Sequence, residues 1–522
     1  MVLSGSGARV LGILGTLAVT RYLNPEEYGE VSLAMLVMQI THMLANSGLS
    51  QYIASRPKAG RDVVFHATFF YTLVGVVALL LTLVFGSRIA ASLDAPGITR
   101  LFPGLAVAVF LDRFAVIQDR IQLRNLQFRS VGLQRSLGEL VYSMVSVGLA
   151  AFAAGTPYGG AAALVWASLA RSVLRLITLS ATTYWREWLE PHKLTWATTR
   201  ELFVFGLPMA VVTLAGFGAQ KFDNLVFQRH FGLAWLTFYN LAYNFADMPA
   251  ALVGEQIGDV LVPSFARMED DQQRKDALLL SIRMMILLVT PLAVGLGVVA
   301  PTLGKVAFDA RYQEGIIKIL QWLSLLSIAR TITWIGNAYL QVRNQPRTIM
   351  MLETARMVGI VVFMNLFVLV GMHQGPGHAV RWACASVVAV FTMSALSYLV
   401  AIKKLDGVSL RAQILPLLPS LVAAAPMALA VVSARRLMTY FGLFALDHPR
   451  LTTADHAREF GPRLAVEILV GAVAFVPSAL LLAPLASREL ISLTKNALQR
   501  RRRGAAGDVP APIEAPSAVN EP

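Results

Sequence analysis

Charged residues are scarce in this chain: they make up 15% of its 522 residues, against 56% hydrophobic, and mean hydropathy is +0.59. A soluble protein carries about a quarter, so this composition cannot build a water-facing surface. Cysteine is nearly absent, and the single Cys384 excludes any disulfide within the chain. No GxxxxGK[ST] loop occurs, which removes nucleotide hydrolysis by the chain itself; the stretch SGSGAR near the start lacks the lysine and any preceding strand. Neither HExxH nor a pair of CxxC motifs is present, so no metal ligands are assigned. His373 and His378, in HQGPGH, read as part of a turn.

What the chain has instead is apolar length. Stretches of about 20 apolar residues, enough to cross a hydrocarbon layer of roughly 30 Å, recur from the start to about residue 486. Division at Pro, Gly and charge clusters predicts about 14 helices, over 2–22, 28–54, 62–92, 97–119, 136–153, 158–184, 201–228, 234–262, 277–307, 315–342, 348–371, 380–402, 412–433 and 464–486. The fold class is an all-α polytopic membrane protein. The first segment lacks a charged lead and a small-residue cleavage site, so it is read as a span and not as a signal peptide.

The charges that remain are mostly positive, 45 Lys and Arg against 31 Asp and Glu, a formal +14. Their placement explains the excess. With the N-terminus in the cytoplasm, the even-numbered connections hold Arg56, Lys58 and Arg61; Arg120, Arg124, Arg129 and Arg135; Arg186, Lys193 and Arg200. The series continues with Arg267, Arg274 and Lys275; Arg343 and Arg347; then Lys403, Lys404 and Arg411. Most basic residues of the opposite connections fall in one long loop, 434–463, which also holds His448, Arg450 and His456. This asymmetry predicts that both termini are cytoplasmic, and nucleic acid binding is not required to explain the charge. The basic stretch 487–503, ending in Arg500 to Arg503, suits anionic lipid headgroups. The Pro/Ala-rich residues 504–522 are expected to be disordered.

One connection stands out by composition. RYLNPEEYGEVSLAM, residues 21–35, places turn residues and two carboxylates between apolar segments. Residues 229–243, RHFGLAWLTFYNLAY, align with it without a gap: Arg229 falls on Arg21, Leu241 on Leu33, Ala242 on Ala34. One stretch follows the first predicted helix and the other the seventh, which predicts an internal repeat of six helices. The division expected is residues 1–184 for the first lobe, 201–405 for the second, and 412–486 for two added helices.

RYLNPEEYGEVSLAML followed by NSGLSQYI resembles the N-terminal signature of polysaccharide and oligosaccharide flippases. These are the Wzx-type members of the multidrug/oligosaccharidyl-lipid/polysaccharide exporter superfamily. Residues 199–251, with Phe-Gly-Leu-Pro, an Asp late in the seventh helix and a Tyr-x-Leu-Ala hairpin, are similar to that family's second-lobe entry, and VLVPSFARMEDD follows. The likeness covers roughly residues 1–405; the short basic lead usual in the family is missing. The resemblance implies two pseudo-symmetric lobes around a central cavity that alternates between faces of a bacterial inner membrane. It also implies an isoprenoid-diphosphate-linked oligosaccharide as substrate, with a polysaccharide polymerase and export machinery as candidate partners. It implies a transporter and not an enzyme, with no cofactor beyond a proton or sodium ion for coupling.

An anionic lipid diphosphate asks for cations at membrane depth, where each costs about 2.5–3.5 kcal/mol on insertion scales. Arg9, Arg113, Lys221, Arg283, Arg330 and Arg356 lie in predicted spans and are the candidates for a cationic cavity. Asp223 matches the family's acid on the seventh helix. With Glu139, and with Glu255 and Asp259 at i, i+4 spacing on one helix face, it is a candidate for ion coupling or gating. Two alternatives stay open at this stage. A small-cation or drug exporter of the same fold would want a cavity dominated by carboxylates. A membrane-embedded glycan ligase or polymerase would place its essential Arg and His in the 434–463 loop.

Overall fold

The computed structural model describes residues 12–46, 49, 53, 60–125, 127–153, 159–268, 270–441 and 453–490. Among these residues the regular structure is helical, with no strand. In chain order the long helices are α1 (12–19), α2 (Pro25–Asn46), α3 (Arg61–Val84), α4 (Phe102–Arg124), α5 (Phe128–Phe152) and α6 (Gly159–Thr182). They continue with α7 (Trp196–Phe231), α8 (Leu233–Arg267), α9 (Asp271–Ala307), and α10 in two halves, α10a (Ala310–Leu323) and α10b (Leu326–Val342), bent by 46°. The last four are α11 (Pro346–Met372), α12 (Pro376–Asp406), α13 (Leu418–Tyr440) and α14 (Thr453–Leu482). Among the described residues, eight helices, or nine if the bent pair is one span, are long and apolar enough to cross a membrane.

Local chemistry sets the helix ends. Asp270 accepts the N–H of Gln272 and of Gln273 at 3.2 and 3.1 Å to start α9, and Asp309 accepts the N–H of Arg311 at 3.2 Å to start α10a. Between α7 and α8 a single residue turns the chain: Gly232, at φ +84°, a conformation that a side chain would strain. The 21–30 turn is a helix start. Asn24 O accepts the first intrahelical bond from Tyr28, Pro25 opens the first turn, and Glu27 reaches back to accept the N–H of Asn24 at 3.3 Å. The two carboxylates of the motif therefore face the positive end of the α2 dipole.

Packing repeats with an offset of six helices. In the first half α2 packs on α3 and α4, α4 on α6, and α5 on α6; in the second, α8 packs on α9 and α10, α10b on α12, and α11 on α12. Each half has its own core: one cluster built on Val31, Leu105 and Leu164, another on Phe227, Ile286, Tyr339 and Phe391. Helices α13 and α14 pack on each other and on α9, where Leu287 meets Ala479 and Ala483. The predicted 434–463 loop is corrected here. α13 runs on to Tyr440 and α14 begins at Thr453, so Arg435 and Arg463 lie on helices and not in a loop domain.

The two halves meet along α2 and α8 and are latched at the face that carries the 21–30 turn. C-terminal-half donors cap that turn's carbonyls: Thr237 Oγ1 on Pro25 O at 2.6 Å, and the Tyr312 hydroxyl on Leu23 O at 2.8 Å. Arg311 donates to Asn24 Oδ1 at 2.5 Å and to Arg21 O at 3.0 Å, held by Asp309 at 2.9 Å. Gly29 lies directly against the backbone of Leu233, where a Cβ would collide. Arg311→Ala should therefore favour opening at this face by about fivefold, a loss of ~1 kcal/mol in hydrogen bonding. The measurement is labelling of a cysteine at Thr16 by an impermeant maleimide, in a Cys384→Ala background. Unchanged labelling would remove the latch from the account.

Candidate functional site

Between the lobes lies a cavity of about 360 Å³. Gly12, Ile13 and Thr16 of α1, Glu139 and Tyr142 of α5, and Leu241, Asn244, Phe245 and Asp247 of α8 line it. Two acid–base pairs flank it, one from each lobe. Glu139 is bonded by Arg171 of α6 at 3.2 Å, and the Arg171 guanidinium stands over the Tyr142 ring at 4.9 Å. Asp247 pairs with Arg330 of α10b at 3.0 Å; Arg330 also donates to the Tyr243 hydroxyl at 3.1 Å and stands over Trp334 at 5.3 Å. The carboxylates form the wall and the guanidinium groups stand behind them. This differs from the cation-lined cavity expected from sequence. In low dielectric a guanidinium is held best by a carboxylate partner, and here that partner intervenes between it and the cavity.

Two further cavities adjoin. One, about 220 Å³, lies inside the first lobe and is lined by His42, Asp112, Ser168, Arg171, Ser172 and Arg175 among others; Arg175 bonds Asp112 at 3.2 Å. The other, about 480 Å³, is almost wholly apolar and lies between α8, α9, α13 and α14. Its walls include Phe245, Met248 and Pro249, Leu292 and Leu296, Met427, and Phe475. At one end of it Glu467, with no exposed surface, accepts from Arg435 at 2.9 and 2.8 Å and from Thr302 at 2.7 Å, with Arg463 at 3.5 Å.

Residues 18–317 match the family described as Polysaccharide biosynthesis protein. The chain belongs to that family. Within it, the chain is 26% identical over 316 residues to the succinoglycan biosynthesis transport protein ExoT of Rhizobium meliloti, a match spanning 60% of this chain and 62% of ExoT, less than two thirds of that relative. It is 23% identical over 422 residues to the lipopolysaccharide biosynthesis protein WzxC of Escherichia coli, covering 78% and 80% of the two chains. Among solved structures the fold is similar to the lipid II flippase MurJ in an inward closed conformation, with TM-score 0.71 over 94% of this chain and 99% of that one, at 12% identity. An inward-facing multidrug resistance MATE transporter superposes with TM-score 0.62 over 77% of this chain and 96% of that one, at 16% identity.

In this family member the predicted site residues divide. Glu139 reaches the central cavity, and Arg330 stands one residue behind it. Arg113 does not line it: the side chain is fully buried in the first lobe, donating to Tyr71 O at 2.5 Å and stacked over the Tyr71 ring at 4.1 Å, in space that Gly75 leaves open. Arg283 is bound by Glu489 at 2.8 Å, beyond the end of α14, and Arg356 pairs with Glu353 of its own helix and stands over Phe391 at 5.1 Å, inside the second lobe. Asp223 is buried and accepts from the Tyr239 hydroxyl at 2.5 Å, joining α7 to α8, while Lys221 is half-buried two residues away. Arg9 lies outside the described residues, as do the side chains of Glu255 and Asp259.

Sequence reading passed over Arg171, Arg175, Arg435 and Glu467. The i, i+4 pair Arg171 and Arg175 within an apolar helix was the available signal. The Glu467 cluster gives the sharpest stability test, because its removal strands two guanidinium groups that are only 20% and 12% exposed. Glu467→Ala should cost about 3–5 kcal/mol, and Glu467→Ala with Arg435→Met should recover part of it. Thermal unfolding of the detergent-purified protein reads both, and an unchanged midpoint in the single variant would refute the pairing.

Proposed function

We propose that this protein is a flippase. It moves an isoprenoid-diphosphate-linked oligosaccharide unit from the cytoplasmic to the outer face of a bacterial inner membrane, for polysaccharide biosynthesis and export. Both termini are cytoplasmic in this reading, which puts the latch on the outer side. The single observation that carries it is the pairing of cavities: a polar one between the lobes for a glycan head, beside an apolar one for an isoprenoid tail. Family membership and a fold shared with a lipid II flippase support the same substrate class. The lobes rock about the α2–α8 seam, breaking the latch to release the head outward. We assign ion coupling, by proton or sodium, to Glu139, because its charge can be exposed to the cavity by release of Arg171. Downstream, a polymerase and an export machinery take up the unit.

A second reading, export of organic cations, is favoured by one observation: Glu139 and Asp247, rather than arginines, form the cavity wall. Each is neutralised by its own arginine, which weakens the cavity as a trap for cations. The deciding experiment locates lipid-linked oligosaccharide in cells lacking the gene, with a glycan probe on intact and opened spheroplasts. Complete units trapped on the inner face are expected. Complementation by Asp247→Asn should lower the outer-face fraction about tenfold, the equivalent of ~1.4 kcal/mol. Normal sidedness with altered organic-cation efflux would establish the second reading instead.

A further inference from the structure

α8 forms the wall between the central and the apolar cavities, and one side chain belongs to both. Leu241, Asn244 and Asp247 face the polar cavity, and Met248 and Pro249 face the apolar one; Phe245 lines each of them. Its ring is only 8% exposed and packs edge-on against Phe308, at 5.4 Å between centroids and 68° between planes. Four residues on, Pro249 has no N–H, so the carbonyl of Phe245 lacks the intrahelical donor that every ordinary position receives. The helix therefore lacks one backbone hydrogen bond at the residue that separates the two spaces.

We propose that Phe245 is the partition through which head and tail of one substrate communicate. A molecule with a polar head and a long apolar tail can fill both cavities only where they abut, and that place is the Phe245 ring. The ring swings aside to admit the junction between diphosphate and isoprenoid, and closes behind a substrate that is absent or too short. Phe245 is thus a positioning residue that reads chain length, and this rests on the flippase reading above.

The test uses full-length protein in nanodiscs and two probes, a short-chain geranyl and a long-chain undecaprenyl diphosphate glucose. Wild type should bind both. Phe245→Trp enlarges the partition and should weaken the long-chain probe by about tenfold more than the short-chain probe. Phe245→Ala removes it and should tighten the long-chain probe several-fold relative to the short one. The opposite signs of the two variants separate gating from damage to the fold. Parallel loss of both probes in both variants would mean a packing role and overturn the proposal, as would variants that bind both probes like wild type. Wild type that binds neither probe would bring down the flippase reading, and the partition with it.

Discussion

Each cation placed at membrane depth must be neutralised where it stands, and this constraint orders the interior of the protein. A guanidinium away from water is tolerable only with a carboxylate, a carbonyl oxygen or an aromatic face in contact, because the loss of solvation is large. The chain answers with Arg171 on Glu139, Arg175 on Asp112, Arg330 on Asp247, Arg356 on Glu353 and Arg435 on Glu467. All but one of these pairs join two different helices. They therefore fix helix registers that apolar packing alone, being non-directional, would leave free to slide.

The same pairing gives the central cavity its character. Glu139 with Arg171, on α5 and α6, and Asp247 with Arg330, on α8 and α10b, come from different helices of the two lobes and flank the space between them. Each of the two pairs is neutral in itself. The cavity can thus open and close without separating unlike charges across it, and any charged ligand must compete with an internal partner for a guanidinium or a carboxylate. The latch across the 21–30 turn is built differently, from donors on carbonyl oxygens. Such bonds can exchange with water at low cost when the face opens.

The added helices α13 and α14 enlarge this scheme beyond two lobes. They extend the protein sideways along α9 and enclose the apolar cavity, whose wall on the other side is α8. α8 is thus polar-facing toward the lobe interface and apolar-facing toward α13 and α14. Its Phe245 lies where those two faces meet.

The membrane class, the helical fold and the short turns at Asn24–Gly29 and Gly232 were legible in the amino-acid order, because span length, positive-inside bias and turn chemistry are local properties. The alignment of Arg21 with Arg229 predicts a repeat, and helix contacts recur at an offset of six helices. The site was legible only in part. Sequence locates an arginine within a span, but its partner comes from another helix, often far along the chain: Asp247 for Arg330, Glu467 for Arg435. Arg113 and Arg330 look alike in sequence, yet one is enclosed by Tyr71 within the first lobe and the other stands at the cavity. Which face of a helix meets a cavity, and which charge stands in front of its partner, is decided by packing between helices, and only the tertiary structure determines that.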